Sequence, residues 1–197
     1  LVADENFSKD SVLSYLKSGM SFANQTEIYI FENYVNASGI KGFRAYKKSF
    51  LERKYKPQGM NDDLIRIADS VRERFITLFT PVYKELVKKD STVKDKTLAL
   101  YELVVNERME LKLEELKEKY EKLEKKALVL ECEQIYKFVI DLFDKMVLLM
   151  GDDVISVRDY AMLLDSGFLE VKVSVIPPSN DLTVIGDLIR TRLDKVK

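Results

Sequence analysis

The chain has 197 residues, of which 46% are hydrophobic and 33% charged, and its 32 basic and 33 acidic residues leave a net charge of −1. That length carries a domain with a real core, and the even charge balance excludes a body that attracts nucleic acid by bulk positive charge, so any DNA contact has to be local. With no histidine and one cysteine, Cys132, an internal disulfide, a structural zinc site, a thiolate-held iron–sulfur cluster and an imidazole-based triad are excluded; no apolar run is long enough to span a membrane, and a cytoplasmic setting is expected.

In chain order, Ser8 to Leu16 places Val12, Leu13 and Leu16 on one face with Gly19 just beyond, the pattern of a short helix with a glycine stop. A second helix is expected from Thr26, with Ile28, Phe31, Tyr34 and Val35 inward. Gly39 and Ile40 supply the left-handed residue and the hydrophobe of a Schellman-type stop. Lys41 to Met60 has no clear period, and Pro57 and Gly59 mark a loop.

Asn61 is a good N-cap for a helix with the stripe Leu64, Ile67, Val71, Phe75, Leu78, Val82 and Leu86. Pro81 predicts a kink or short break near Phe79, because proline removes a backbone hydrogen bond and crowds the preceding turn. Val93 to Val105 follows with Leu98, Tyr101 and Val104 as its apolar side.

Between Met109 and Met150 there is neither proline nor glycine, which predicts one long helix or two nearly collinear ones. Its apolar stripe changes phase, from Leu113, Leu116, Tyr120, Leu123, Ala127 and Leu130 to Cys132, Ile135, Val139, Leu142, Met146 and Leu149. The region from Leu113 to Glu133 is expected to project as an arm, and the second half to join the body. Gly151 ends this run, Ser156 with Asp159 opens a last helix from Val157 to Leu164, and Gly167 closes it. Val171, Val173 and Val175 then alternate with polar residues, Pro177 to Asn180 is a turn, and Leu182 to Ile185 reads as a second strand. The expected fold is mainly α: a helical domain with one long helix or arm and a small two-stranded β element near the C-terminus.

Chemistry is sparse. No G-x-x-x-x-G-K-[ST] loop is present to cradle a nucleotide. Acidic residues from Glu107 to Glu133 interleave with lysines, as in Glu114 with Lys117 and Glu121 with Lys125, the spacing of surface pairs and not of a metal site. Cys132, on an apolar stripe, reads as a small hydrophobe. No catalytic, cofactor-binding or metal-ligating residue is expected. A start at Leu1 and a charged end after a strand-like run suggest a piece of a longer protein.

Several stretches, taken in order, resemble one family. Val12-Leu13-Ser14-Tyr15-Leu16-Lys17-Ser18-Gly19, Phe31-Glu32-Asn33-Tyr34-Val35, Gly39-Ile40-Lys41-Gly42, Glu133-Gln134-Ile135-Tyr136, Ile140-Asp141-Leu142-Phe143-Asp144, and Ile176-Pro177-Pro178 with Asp181 to Arg192 are similar to the middle of the AddB (RexB-like) family, which belongs to the bacterial AddAB ATP-dependent helicase–nucleases. The resemblance implies a helical 2B-like domain over 1–168 in a superfamily 1 helicase-like half, and over 169–197 a β-containing return into a RecA-like 2A domain. It also implies work in double-strand-break resection and recombinational repair, with DNA and an AddA-like helicase–nuclease subunit as partners. ATP then belongs to the partner subunit, and Mg2+ and an iron–sulfur cluster lie elsewhere in the parent protein. The alternative is a stand-alone helical protein–protein interaction module. For DNA contact the candidates are Lys41 and Arg44 beside the Gly39–Gly42 turn, and Arg190 and Arg192 after Gly186 and Asp187, since cations in loops can approach phosphates closely.

Overall fold

The computed structural model describes residues 2–174; the second expected strand, Leu182 to Ile185, lies outside them, as do Arg190 and Arg192. The described residues form α1 Lys9–Lys17, α2 Gln25–Ser38, α3 Phe43–Tyr46, α4 Asp62–Leu86, α5 Val93–Asn106, α6 Met109–Lys122, α7 Lys126–Met150 and α8 Val157–Ser174.

Capping chemistry sets most of these boundaries. The Ser8 side chain accepts the Ser11 N–H at the start of α1, and Asn61 accepts that of Leu64 before α4. α2 begins at Gln25, just ahead of the expected Thr26, because Asn24 and Glu27 form a reciprocal capping box. Thr92 and Asp95 make a second box for α5, and Ser156 accepts the Asp159 N–H at 3.1 Å to open α8. Gly39 is left-handed (φ 61) and Ile40 donates back to the Val35 carbonyl, the expected glycine stop.

α4 is the spine. At 1.5 Å per residue its 25 residues span about 37 Å, and two apolar clusters sit along it. The first joins α1, α2 and α3 to α4 through Phe7, Leu16, Phe31, Tyr34, Tyr46, Phe75 and Phe79. The second joins the end of α4 to α5, α7 and α8 through Val82, Leu86, Val93, Leu142, Phe143 and Tyr160. The buried stripe is rotated from the expected one: Ile65, Ala68 and Phe79 are inside, while Ile67 is exposed and Leu64 and Leu78 only half-buried. The break expected near Phe79 is absent, and α4 runs on through Pro81. An interior proline costs about 3 kcal/mol, whereas burying Phe79, Val82 and Leu86 stabilises the continuous helix by about 1.5–3 kcal/mol per side chain.

α5 also turns a different face inward. Val93, Lys96, Thr97 and Leu100 are buried, while Leu98 and Tyr101 are exposed. The two polar side chains are tolerated because each finds a partner: Thr97 Oγ1 lies 2.8 Å from the Tyr160 hydroxyl, and Lys96 Nζ donates to the Ser91 carbonyl at 3.1 Å. Backbone pairing holds the start of α5 against the link after α7, with Val93 N–H on Asp153 O at 2.8 Å and Lys94 N–H on Gly151 O at 3.0 Å.

The run from Met109 to Met150 is neither one helix nor a collinear pair. It reverses at Leu123 to Lys125, and Lys117 of α6 reaches Glu133 of α7 at 3.3 Å, so the two helices lie antiparallel as a hairpin. Glu124 takes the left-handed position (φ 55), its N–H donates to Glu121 O, and the Lys125 N–H donates to Tyr120 O, which is Schellman geometry without glycine. The phase change in the sequence, between Leu130 and Cys132, falls inside α7 and does not coincide with this turn. α6 has no buried residue, and those of α7 are Leu142, Phe143 and Met146, toward its C-terminal end, so the outer half of the hairpin stands off the core as an arm. Its root is fastened where Glu107 accepts from the Tyr15 hydroxyl at 3.2 Å and from Lys112 Nζ at 2.8 Å. Left-handed backbone costs an L-residue about 1–2 kcal/mol, and glycine recovers part of that against its larger unfolded-state entropy. Glu124→Gly is therefore expected to stabilise the chain by about 0.5–1 kcal/mol in urea denaturation, and a loss of stability would contradict the turn geometry.

α8 does not stop at Gly167. It continues to Ser174 through Val171 and Val173, where the first strand was expected. A Cβ at position 167 would lie 2.4 Å from Leu142 Cδ1. Gly167 thus marks the close approach of α8 to α7, and its helix-breaking tendency of about 1 kcal/mol is overridden by that packing.

Candidate nucleic-acid interface

Lys41 and Arg44 flank a backbone corner that only particular residues allow. After the left-handed Gly39, Ile40 is buried and anchors the turn, and Gly42 follows at φ 86, ψ 144, a conformation that strains any residue with a side chain. The Gly42 N–H donates to Phe7 O at 3.1 Å. Phe7 is itself left-handed (φ 54) and fully buried among Phe43, Phe75, Phe79 and Tyr83, so burial of its ring offsets backbone strain of about 1–2 kcal/mol. The result is a fixed corner from which α3 leaves, with Lys41 and Arg44 exposed beside an open recess that Asn6, Lys47 and Tyr83 also line.

The structure brings more cations to this place than sequence reasoning singled out. Lys47, Lys48 and Lys54 are also exposed, and like Lys41 and Arg44 they have no carboxylate within 4.0 Å among the described residues. Arg53 folds back so that Nη2 donates to the Ala45 carbonyl at 2.8 Å, which ties the segment carrying Lys54 to α3. Lys56 pairs with Asp62 at 2.6 Å. The signal was present in the sequence: from Lys41 to Lys56 there are seven cations, with Glu52 as the sole acid. The near-zero net charge of the whole chain hid it.

A buried polar network holds this segment on α4. Asp69 accepts from the Phe50 N–H at 2.7 Å and the Ser49 hydroxyl at 2.9 Å, and it pairs with Arg72, whose Nη1 donates to the Tyr46 carbonyl at 3.1 Å. Burial pushes the Asp69 carboxyl up, but the Arg72 hydrogen bond, the Phe50 and Ser49 donors and the Arg72 charge outweigh it and hold the group below the usual carboxylate range. It is ionised and neutralised inside the fold, so it takes little positive potential from the surface cations. Arg190 and Arg192, the other predicted pair, lie outside the described residues. Among those residues no group of three or more carboxylate or thiol ligands converges, and the one thiol of the sequence cannot hold a cluster. No helix among the described residues is long and apolar enough to cross a membrane. Cys132 is half-buried, and burial followed by the neighbouring Glu131 raises its thiol, which leaves it a poor nucleophile.

Fold and surface together define a helical body with a projecting hairpin and one local cationic face. No protein-family model matches the chain. It is 40% identical over 200 residues to the AddB protein of Lachnoclostridium phytofermentans, the second subunit of an ATP-dependent helicase/deoxyribonuclease, a match that takes in all of this chain and 17% of that protein. The proteins of the same name from Clostridium botulinum (strain Langeland) and Caldanaerobacter subterraneus are 30% and 29% identical over 200 residues, covering 97% and 98% of this chain and again 17% of theirs. The chain thus belongs, over its whole length, with one region of the AddB family of ATP-dependent helicase/deoxyribonuclease subunits, and it spans about a sixth of the length of the relatives it matches.

Proposed function

We propose that this chain is the helical, 2B-like region of an AddB polypeptide in a cytoplasmic helicase–nuclease that resects and repairs broken DNA, and that it works by holding DNA without catalysing a reaction. The observation that carries the reading is the set of exposed cations without a carboxylate partner, Lys41, Arg44, Lys47 and Lys48, gathered at one corner of a molecule whose net charge is −1. Phosphates are the ligand such a set suits, because each contact releases condensed counterions. On this reading ATP is hydrolysed on an AddA-like partner subunit, and Mg2+ and an iron–sulfur cluster sit in other parts of the assembly. The hairpin arm, acid-rich and exposing Leu111, Leu123 and Leu130, suits contact with a protein such as that partner. Homology to a stretch of much longer proteins speaks against a stand-alone interaction module.

The test is made in the full-length protein assembled with its partner. Lys41→Ala with Arg44→Ala should weaken DNA binding regardless of sequence and lower the slope of log affinity against log salt by about 1.4–1.8, two contacts at about 0.7–0.9 each. The pair Arg190→Ala with Arg192→Ala, measured alongside, asks the same of the other predicted cations. Unchanged affinity and slope in every variant would make this region a spacer.

A further inference from the structure

We propose that the cationic face takes single-stranded DNA, with the ring of Tyr55 as a stacking platform for an unpaired base. The inference rests on the phosphate-binding reading above and adds to it the form of the strand. Tyr55 is 59% exposed, in a protein whose Tyr34, Tyr46 and Tyr160 are fully buried. It stands between Lys54 and Lys56, in the segment where cations outnumber acids seven to one. The loop that carries it is not slack. The Phe50 N–H is held by Asp69 and the Arg53 side chain donates to the Ala45 carbonyl, so the ring is presented from a segment tied to the body on its N-terminal side, while Lys56 makes only an exposed ion pair with Asp62. The bond from Arg53 also brings this loop against α3, next to Arg44 and Lys47.

Phosphate contacts alone suit duplex and single strand equally. An aromatic ring set among cations does not, because the bases of a duplex already stack on one another and offer no free face, whereas every unpaired base does. Lysines along the backbone and a ring for the base are the two parts of a sequence-tolerant single-strand groove. A protein docking on Tyr55 and the neighbouring exposed Leu51 is the competing occupant, and the measurement separates it.

In the full-length assembled protein, binding of a fluorescent oligothymidylate and of a blunt duplex of equal length is measured across a salt series. Tyr55→Ala should weaken oligothymidylate binding by about 5- to 100-fold, leave the salt slope unchanged because stacking releases no counterions, and leave duplex binding unaltered. Tyr55→Phe, which keeps the ring face, should retain the parental affinity and guards against a folding defect. Unchanged single-strand binding in Tyr55→Ala overturns the proposal, as does equal loss on duplex, or a failure to assemble with the partner in place of a loss of DNA binding. Lys41→Ala with Arg44→Ala serves as the separate arm. If its slope falls while Tyr55→Ala is silent, only the stacking inference fails; if its slope does not move on either DNA, the phosphate reading fails as well.

Discussion

Replacing Asp69 by alanine is expected to destabilise the chain by about 3–5 kcal/mol, because it leaves the Arg72 guanidinium buried without its counter-charge. The Asp69 and Arg72 side chains are only 11% and 8% exposed, so solvent screening does little to soften the loss. The Phe50 N–H and the Ser49 hydroxyl lose their acceptor at the same time. Against a typical total of about 5–15 kcal/mol, the change should move the urea midpoint strongly. Asp69→Leu combined with Arg72→Met should cost less than Asp69→Ala alone, since no charge is then stranded. A loss below about 1 kcal/mol in the single variant would show that the pair is not buried as described. The consequence reaches the interface, because this network holds the loop that carries Lys54 and Tyr55.

The same carboxylate sets an acid limit. Its folded-state value lies below its unfolded one, so unfolding takes up a proton in acid. The stabilisation it gives is fully present above the unfolded value of ~3.9 and is lost as pH falls through the folded value. The urea midpoint of the parent chain should therefore fall below about pH 4, and Asp69→Asn should lack that component of the fall.

Phe75→Ala is expected to cost a similar amount, about 3–5 kcal/mol. The ring is fully buried on α4, with ring centroids of Phe79 at 4.5 Å, Phe7 at 5.9 Å, Tyr15 at 6.0 Å and Tyr46 at 6.1 Å. Phe7, Tyr15 and Tyr46 come from outside α4 and Phe79 is fixed on the same helix, so these rings cannot close over the void together, and the cavity cost adds to the lost transfer energy. Phe75→Leu, which fills most of the space, should cost about 1–2 kcal/mol. Equal effects of the two in denaturation would mean that the site collapses freely and is not the close-packed centre of the first cluster.

Features that depend on neighbours along the chain were legible in the residues alone. Helical class, the caps at Asn61 and Ser156, the glycine stop at Gly39–Ile40 and the family all follow from residues within a few positions of one another. So does the cationic corner at Lys41 and Arg44, because glycines in special conformations announce themselves. Packing in three dimensions was needed wherever distant surfaces compete for the same residue. Gly167 reads as a helix stop until the Leu142 side chain occupies the space a Cβ would need. Pro81 reads as a break until the burial on either side of it outweighs one missing hydrogen bond. Leu98 and Tyr101 read as core until Lys96 and Thr97 find partners inside. The unbroken helical composition from Met109 to Met150 permits either a rod or a hairpin, and the turn at Glu124 with the packing of α6 on α7 selects the hairpin. The gathering of Lys47, Lys48 and Lys54 beside the predicted pair likewise rests on Arg53 and Asp69 folding a loop onto α3 and α4. Local patterns fix which conformations a segment can adopt, and long-range burial, worth about 1.5–3 kcal/mol for each large apolar side chain, chooses among them.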